Sequence, residues 1–261
     1  MFYRFLMLIS LIIVAQSCQK TEPAPIEVVT IDQEFDLSVS QIINESGNSF
    51  VLTIKSVEYS DCENVDLDAS ISQIDNDITI QINGNVLNGD CIPGGIQSEK
   101  QLTLPKSPGE YNIEIKQGEL SSTTGLLSIS VSDFNLDIDN IGGIFYEGQS
   151  LKVIPEFLAW GYYADQLPDA STQIFLEEMI TELGFRQTVF EDLEDGDYSR
   201  FRIENGEIII DDIDLQHITF AYRFEDEVAW EKLLNQFANF ETNFPRLKYR
   251  IERWDGKSAS N

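Results

Sequence analysis

Apolar and polar residues alternate with a period of two over much of the chain from about residue 26 to 131. The clearest runs are Phe35-Asp36-Leu37-Ser38-Val39, Ile78-Thr79-Ile80-Gln81-Ile82, Tyr111-Asn112-Ile113-Glu114-Ile115 and Leu127-Ser128-Ile129-Ser130-Val131. Such alternation buries one face of a strand and leaves the other in water. Turn-forming runs interrupt it: Ser46-Gly47-Asn48, Asn83-Gly84-Asn85, Pro93-Gly94-Gly95, Pro108-Gly109 and Gln117-Gly118. No helical period appears. About seven short strands at this spacing predict an all-β sandwich over residues 26–132.

Residues 133–150 read as a junction, because Asn140-Ile141-Gly142-Gly143 and Glu147-Gly148 are breakers. Just before them, Asp133, Asn135, Asp137 and Asp139 alternate with Phe134, Leu136 and Ile138. Their oxygens share one strand face. A calcium site is the chemical option and a solvated face the favoured reading, since no EF-hand loop with its glycine is present.

The pattern changes over 151–261. Phe157 to Tyr163 is apolar on both faces, as in a central strand. Leu176, Met179, Ile180 and Leu183 mark a helix over 171–183, capped by Asp169 or Ser171 and ended by Gly184. Strands are expected over 185–190, 198–204, 207–210, 217–224 and 247–254, with a helix over 228–240. Asn205-Gly206 is a hairpin signal. Simplified, the order is β-α-β-β-α-β, which predicts an α+β domain of ferredoxin-like form with one sheet face open.

The first residues follow a different logic. Arg4 precedes an apolar run from Phe5 to Ala15 that is too short for a bilayer span of about 20 residues. With Gln16-Ser17-Cys18 it has the charged start, apolar middle and small-residue end of a secretory signal. Ala15-Gln16-Ser17-Cys18 resembles the lipobox of Gram-negative bacterial lipoproteins. The resemblance implies removal of residues 1–17 and fatty acyl chains, palmitate among them, on Cys18. Each buried acyl CH₂ is worth about 0.8 kcal/mol, so two or more chains hold stably. The partner so implied is a lipid membrane. Gln19-Lys20-Thr21-Glu22 resembles the signal that sends such proteins to the outer face of the outer membrane. Cell-surface exposure is therefore expected, with the periplasmic face as the alternative. Residues 18–25, ending in Pro23-Ala24-Pro25, read as a stiff tether.

Acidic residues number 45 against 17 Lys+Arg, a net charge of −28. That balance opposes nucleic acid, whose phosphates need basic partners. It also opposes adsorption of the protein body to anionic lipid.

The run Gly109-Glu110-Tyr111 resembles the corner of immunoglobulin-like domains, in which a tyrosine hydroxyl bonds back to the preceding loop. Ile113 stands where those domains commonly carry a cysteine. Outside the cytoplasm the remaining pair, Cys62 and Cys91, is expected to form a disulfide.

Every arginine of the processed chain lies after residue 185. Strand parity turns Arg200, Arg202, Arg223, Lys248 and Arg250 to one sheet face, with Trp160 and Tyr162 beside them. Guanidinium forks pair with carboxylates or sulfates, and aromatic faces stack on sugar rings. A glycan-binding face is one reading. Cross-strand ion pairing with Glu204 and Glu252, or burial of the face against the first domain, is the other.

No catalytic constellation is found. His217 is the one histidine, and no Gly-x-Ser-x-Gly, His-Glu-x-x-His or phosphate-binding glycine loop occurs. No metal or cofactor is expected. The leading class is a non-catalytic binding or interaction lipoprotein. An accessory subunit that binds an envelope protein is the alternative, and a hydrolase using acidic residues such as Glu177-Glu178 or Asp211-Asp212 comes third.

Overall fold

A computed structural model describes residues 34–44, 47–119, 121–140, 142–164, 181, 186–187, 193–211, 213, 217–243 and 248–261. The signal segment, Cys18, the tether and most of the expected helix over 171–183 lie outside these residues.

The alternating runs become two stacked sheets. A smaller sheet runs in the order Ile144–Tyr146, Phe35–Asn44, Gly47–Ser56, Glu99–Thr103. A larger, nine-stranded sheet carries Val65–Ile74, Asp77–Leu87, Gly109–Gln117, Ser121–Ile129, Asp133–Ile138 and Gln149–Lys152 in neighbouring positions. Phe35, Leu52 and Ile54 from the first pack against Ile78, Ile80, Ile82, Ile113 and Leu127 from the second. Phe50 stacks on Phe134 across them, with ring centroids 4.0 Å apart. Each such burial is worth about 1.5–3 kcal/mol, so period-two alternation is converted into the main core of the molecule.

The Tyr111 hydroxyl donates to the Ser107 carbonyl at 2.9 Å, closing the corner that Gly109-Glu110-Tyr111 predicts.

Cys62 and Cys91 form a disulfide with Cα atoms 5.3 Å apart. It staples a two-stranded ribbon, Ser60–Cys62 and Pro93–Ile96, to the end of the sandwich. The bridge spans 29 residues, for which loop-closure entropy gives about 3.6 kcal/mol. Urea unfolding with and without reductant should show that loss, and Cys62→Ser plus Cys91→Ser should reproduce it.

The segment 133–150 supplies strands to both sheets. Phe35 pairs with Ile144, and Phe134 pairs with both Ile129 and Leu151. Asp133 is tied to the Lys152 ammonium at 2.6 Å, which holds its carboxyl below the usual carboxylate range. Asn135, Asp137 and Asp139 are exposed.

After Lys152 the chain builds a five-stranded sheet in the order Arg186–Gln187, His217–Arg223, Leu158–Ala164, Lys248–Arg253, Ser258–Ser260. All its pairings are antiparallel. The helix Glu227–Asn243 covers one face. It starts where the Asp226 carboxylate accepts the Ala229 N–H at 2.8 Å, an N-cap. Trp230, Leu233 and Phe237 then pack on Phe220, Tyr222, Tyr249 and Ile251.

The expected ferredoxin-like α+β domain is not what the described residues show. They are mostly strand, with this one long helix. Tyr198 to Glu204, read as the second strand of that domain, does not join its sheet. Gly196–Asp197, Arg202–Glu204 and Glu207–Ile209 extend the larger sandwich sheet instead, through the pairing of Leu151 with Asp197. This ribbon folds over the sheet face expected to be open. There Leu193, Tyr198, Phe201, Ile203 and Ile208 bury Leu158, Trp160 and Ala221. Strand parity puts Ala221 on the face of Arg223, the outward one, yet it is buried for that reason, whereas Ile218, on the opposite parity with Phe220 and Tyr222, is exposed.

Candidate functional site

Between the ribbon and the rim of the five-stranded sheet lies a cavity of about 450 Å³. Two elements supply its walls. On the sheet, Tyr162 lies opposite Arg250, and Trp160 lies opposite Glu252. On the ribbon, Arg200, Phe201 and Arg202 face it, followed by Asp211. The Thr219 hydroxyl donates to the Ile208 carbonyl at 2.7 Å and pins the walls together.

Gly161 sets the spacing of the sheet wall. A Cβ there would fall 2.0 Å from the Arg250 carbonyl oxygen, so the strands carrying Tyr162 and Arg250 approach as they do only with glycine. The hairpin on the ribbon turns at Asn205 and Gly206, whose φ values are 54° and 78°, as the Asn-Gly signal requires. The Asp195 carboxylate accepts both their N–H groups, at 2.9 and 3.1 Å.

The cavity arginines differ in what they already hold. Arg202 donates to Glu204 at 2.7 Å and to Asp211 at 2.5 Å. Those bonds, the one to Asp211 foremost, raise its pKa further above the ordinary arginine value. Arg250 pairs with Glu252. Arg200 is exposed and makes no ion pair among the described residues.

Of the seven sequence-predicted binding residues, the cavity gathers five: Trp160, Tyr162, Arg200, Arg202 and Arg250. Trp160 is no surface platform, however. It is 2% exposed, with its ring centroid 5.2 Å from that of Phe201. Arg223 lines a separate cleft with Lys152, Glu227 and Trp254. Lys248 is exposed and lines neither space. The other sheet-face reading, ion pairing and burial, thus describes part of the same surface.

Sequence reasoning offered Asp211 only as one acidic pair among many and placed neither Asp197 nor Ser199 at a binding site. Ser199 carries no signal at all, yet its φ is 66°, in the left-handed region that non-glycine residues seldom occupy. It is fixed there by two bonds. Its N–H donates to Asp197 at 2.6 Å, and its hydroxyl accepts the Gln41 N–H at 3.0 Å.

Chemically the arrangement can donate from guanidinium forks and accept at carboxylates on neighbouring walls. Among the described residues no group of three His, Cys, Asp or Glu side chains is placed to hold a metal ion. Comparison of the chain with protein families, with curated proteins and with solved structures finds no match.

Proposed function

We propose that the chain is a lipid-anchored outer-membrane protein that acts as a non-catalytic binding module, with a glycan held in the arginine-lined cavity. The observation that carries the reading is the convergence of Arg200, Arg202, Arg250 and Tyr162, from two separate elements, on one cavity. Polar forks beside an aromatic ring match the hydroxyl edges and apolar faces of sugars.

The anchor rests on Arg4, the apolar run and Cys18. The expectation of cell-surface exposure rests on Gln19-Lys20-Thr21-Glu22. The closed tyrosine corner supports an immunoglobulin-like sandwich.

Two experiments test the proposal. Cys18→Ser should move the protein from the membrane to the soluble fraction of broken cells; unchanged sedimentation would remove the anchor. On a glycan array, the native chain should bind a defined set of sugars, and Arg202→Ala plus Arg250→Ala should abolish that binding. Retention of the same set by the double variant would place the ligand elsewhere.

A further inference from the structure

The cavity wall carries Arg200, Arg202 and Arg250 against Asp197, Asp211 and Glu252, so its formal charges cancel. Arg202 and Arg250 are already neutralised by close carboxylates. Arg200 alone of the three makes no such pair among the described residues. It also stands where the main cavity meets the smaller one of about 180 Å³, which it lines together with Arg250.

The backbone delivering Arg200 is strained and held. Ser199 adopts its left-handed conformation between the Asp197 carboxylate and the Gln41 N–H, and the Arg200 N–H donates to the Tyr198 carbonyl at 2.8 Å. Strain of this kind persists only where surrounding bonds over-determine it, and it collects at ligand sites. The turn fixes the base of the Arg200 side chain before any ligand arrives.

Densely sulfated chains need many uncompensated cations. This wall offers one, in a body of net charge −28. A neutral sugar would leave that fork without a charged acceptor. The paired groups suit hydroxyls, because each fork can donate to a hydroxyl oxygen while its carboxylate accepts the hydroxyl proton.

We infer that the cavity selects a sugar acid with isolated carboxylates, such as a uronic acid residue in a glycan: its carboxylate takes both arms of the Arg200 fork, and its ring hydroxyls lie along the Arg202–Asp211 and Arg250–Glu252 pairs. The inference rests on the glycan reading above and narrows it to one ligand class. Ser199 is a positioning residue in this scheme.

The test is calorimetric titration of the full processed chain in detergent with oligogalacturonate, its methyl ester and heparin. The acid should bind more than about tenfold tighter than the ester, as loss of a bidentate charge-assisted pair implies. Heparin should bind more weakly than the acid. Arg200→Ala should bring acid and ester to equal, weak affinity, and Arg200→Lys should recover part of the difference. Ser199→Gly should retain the preference with lower affinity for the acid, the ester being unaffected.

Equal binding of acid and ester by the native chain would overturn the carboxylate assignment while leaving the glycan reading in place. Tighter binding of heparin than of the acid would overturn the selectivity. If no sugar binds in titration or on the array, the underlying glycan reading fails with it.

Discussion

Trp160→Ala is expected to destabilise the protein by about 4 kcal/mol, within the range for truncating a buried tryptophan. Trp160 lies in the central strand of the five-stranded sheet, 2% exposed. It joins Leu158 and Ala221 beneath Phe201, Ile203 and Ile208. Phe201 in turn stacks on Tyr198, with centroids 4.8 Å apart. Removing the indole leaves a void under the ribbon that backbone paired on both sides cannot close. Denaturant unfolding should show a lower midpoint with little change in slope. The cavity wall is built on the same ring, so binding of the proposed glycan should weaken even at temperatures where the variant remains folded. A variant within 1 kcal/mol of the native protein would mean that the ribbon does not seal this face.

The second large effect concerns Arg253, the one fully buried arginine among the described residues. Its guanidinium donates to Glu227 through two bonds, of 2.9 and 2.6 Å, and to Asp255 at 2.8 Å. It also lies 4.9 Å from the ring centroids of both Phe224 and Trp230. One side chain thus ties the last long strand to the first turn of the helix. Arg253→Ala removes the packing and strands two carboxylates, for an expected loss of about 3 kcal/mol, the low end for breaking a buried pair because Glu227 is partly in water.

Acid should reveal the same bond. The hydrogen bonds from Arg253 hold the Glu227 carboxyl at about 2, below its ordinary 4.5. A carboxyl whose folded pKa is depressed contributes stability that is present above its unfolded pKa and is lost as pH falls through the folded one. The pair should therefore weaken progressively from about pH 4.5 to 2. Glu227→Gln should be less stable than the native protein at neutral pH and flatter across that window. Parallel acid limbs in the two proteins would show that the bond does not couple folding to pH.

Much of the sandwich was legible because period-two alternation is a local signal for a one-sided strand, and the tyrosine corner and Asn-Gly hairpin depend on short runs. The helix was legible too: Trp230, Leu233 and Phe237 repeat at helical spacing and find the sheet together. Parity on the last long strand holds, with Tyr249 and Ile251 buried and Lys248 and Arg250 exposed. Parity failed at Ala221, where both sheet faces are covered and alternation loses its meaning.

The sequence by itself determined the strand-rich grammar, the cysteine pair, the acidic surface and the late clustering of arginines. Only tertiary structure decided that Gly196–Asp197, Arg202–Glu204 and Glu207–Ile209 leave the sheet they follow in sequence and extend the larger one, since strand pairing depends on edges presented by distant parts of the chain. That choice buries Trp160, sends Arg223 to another cleft and brings Arg200, Arg202 and Arg250 around one cavity. Side-chain direction follows from local geometry, but which surface covers a face is set by contacts across more than a hundred residues, such as the Gln41 N–H on Ser199.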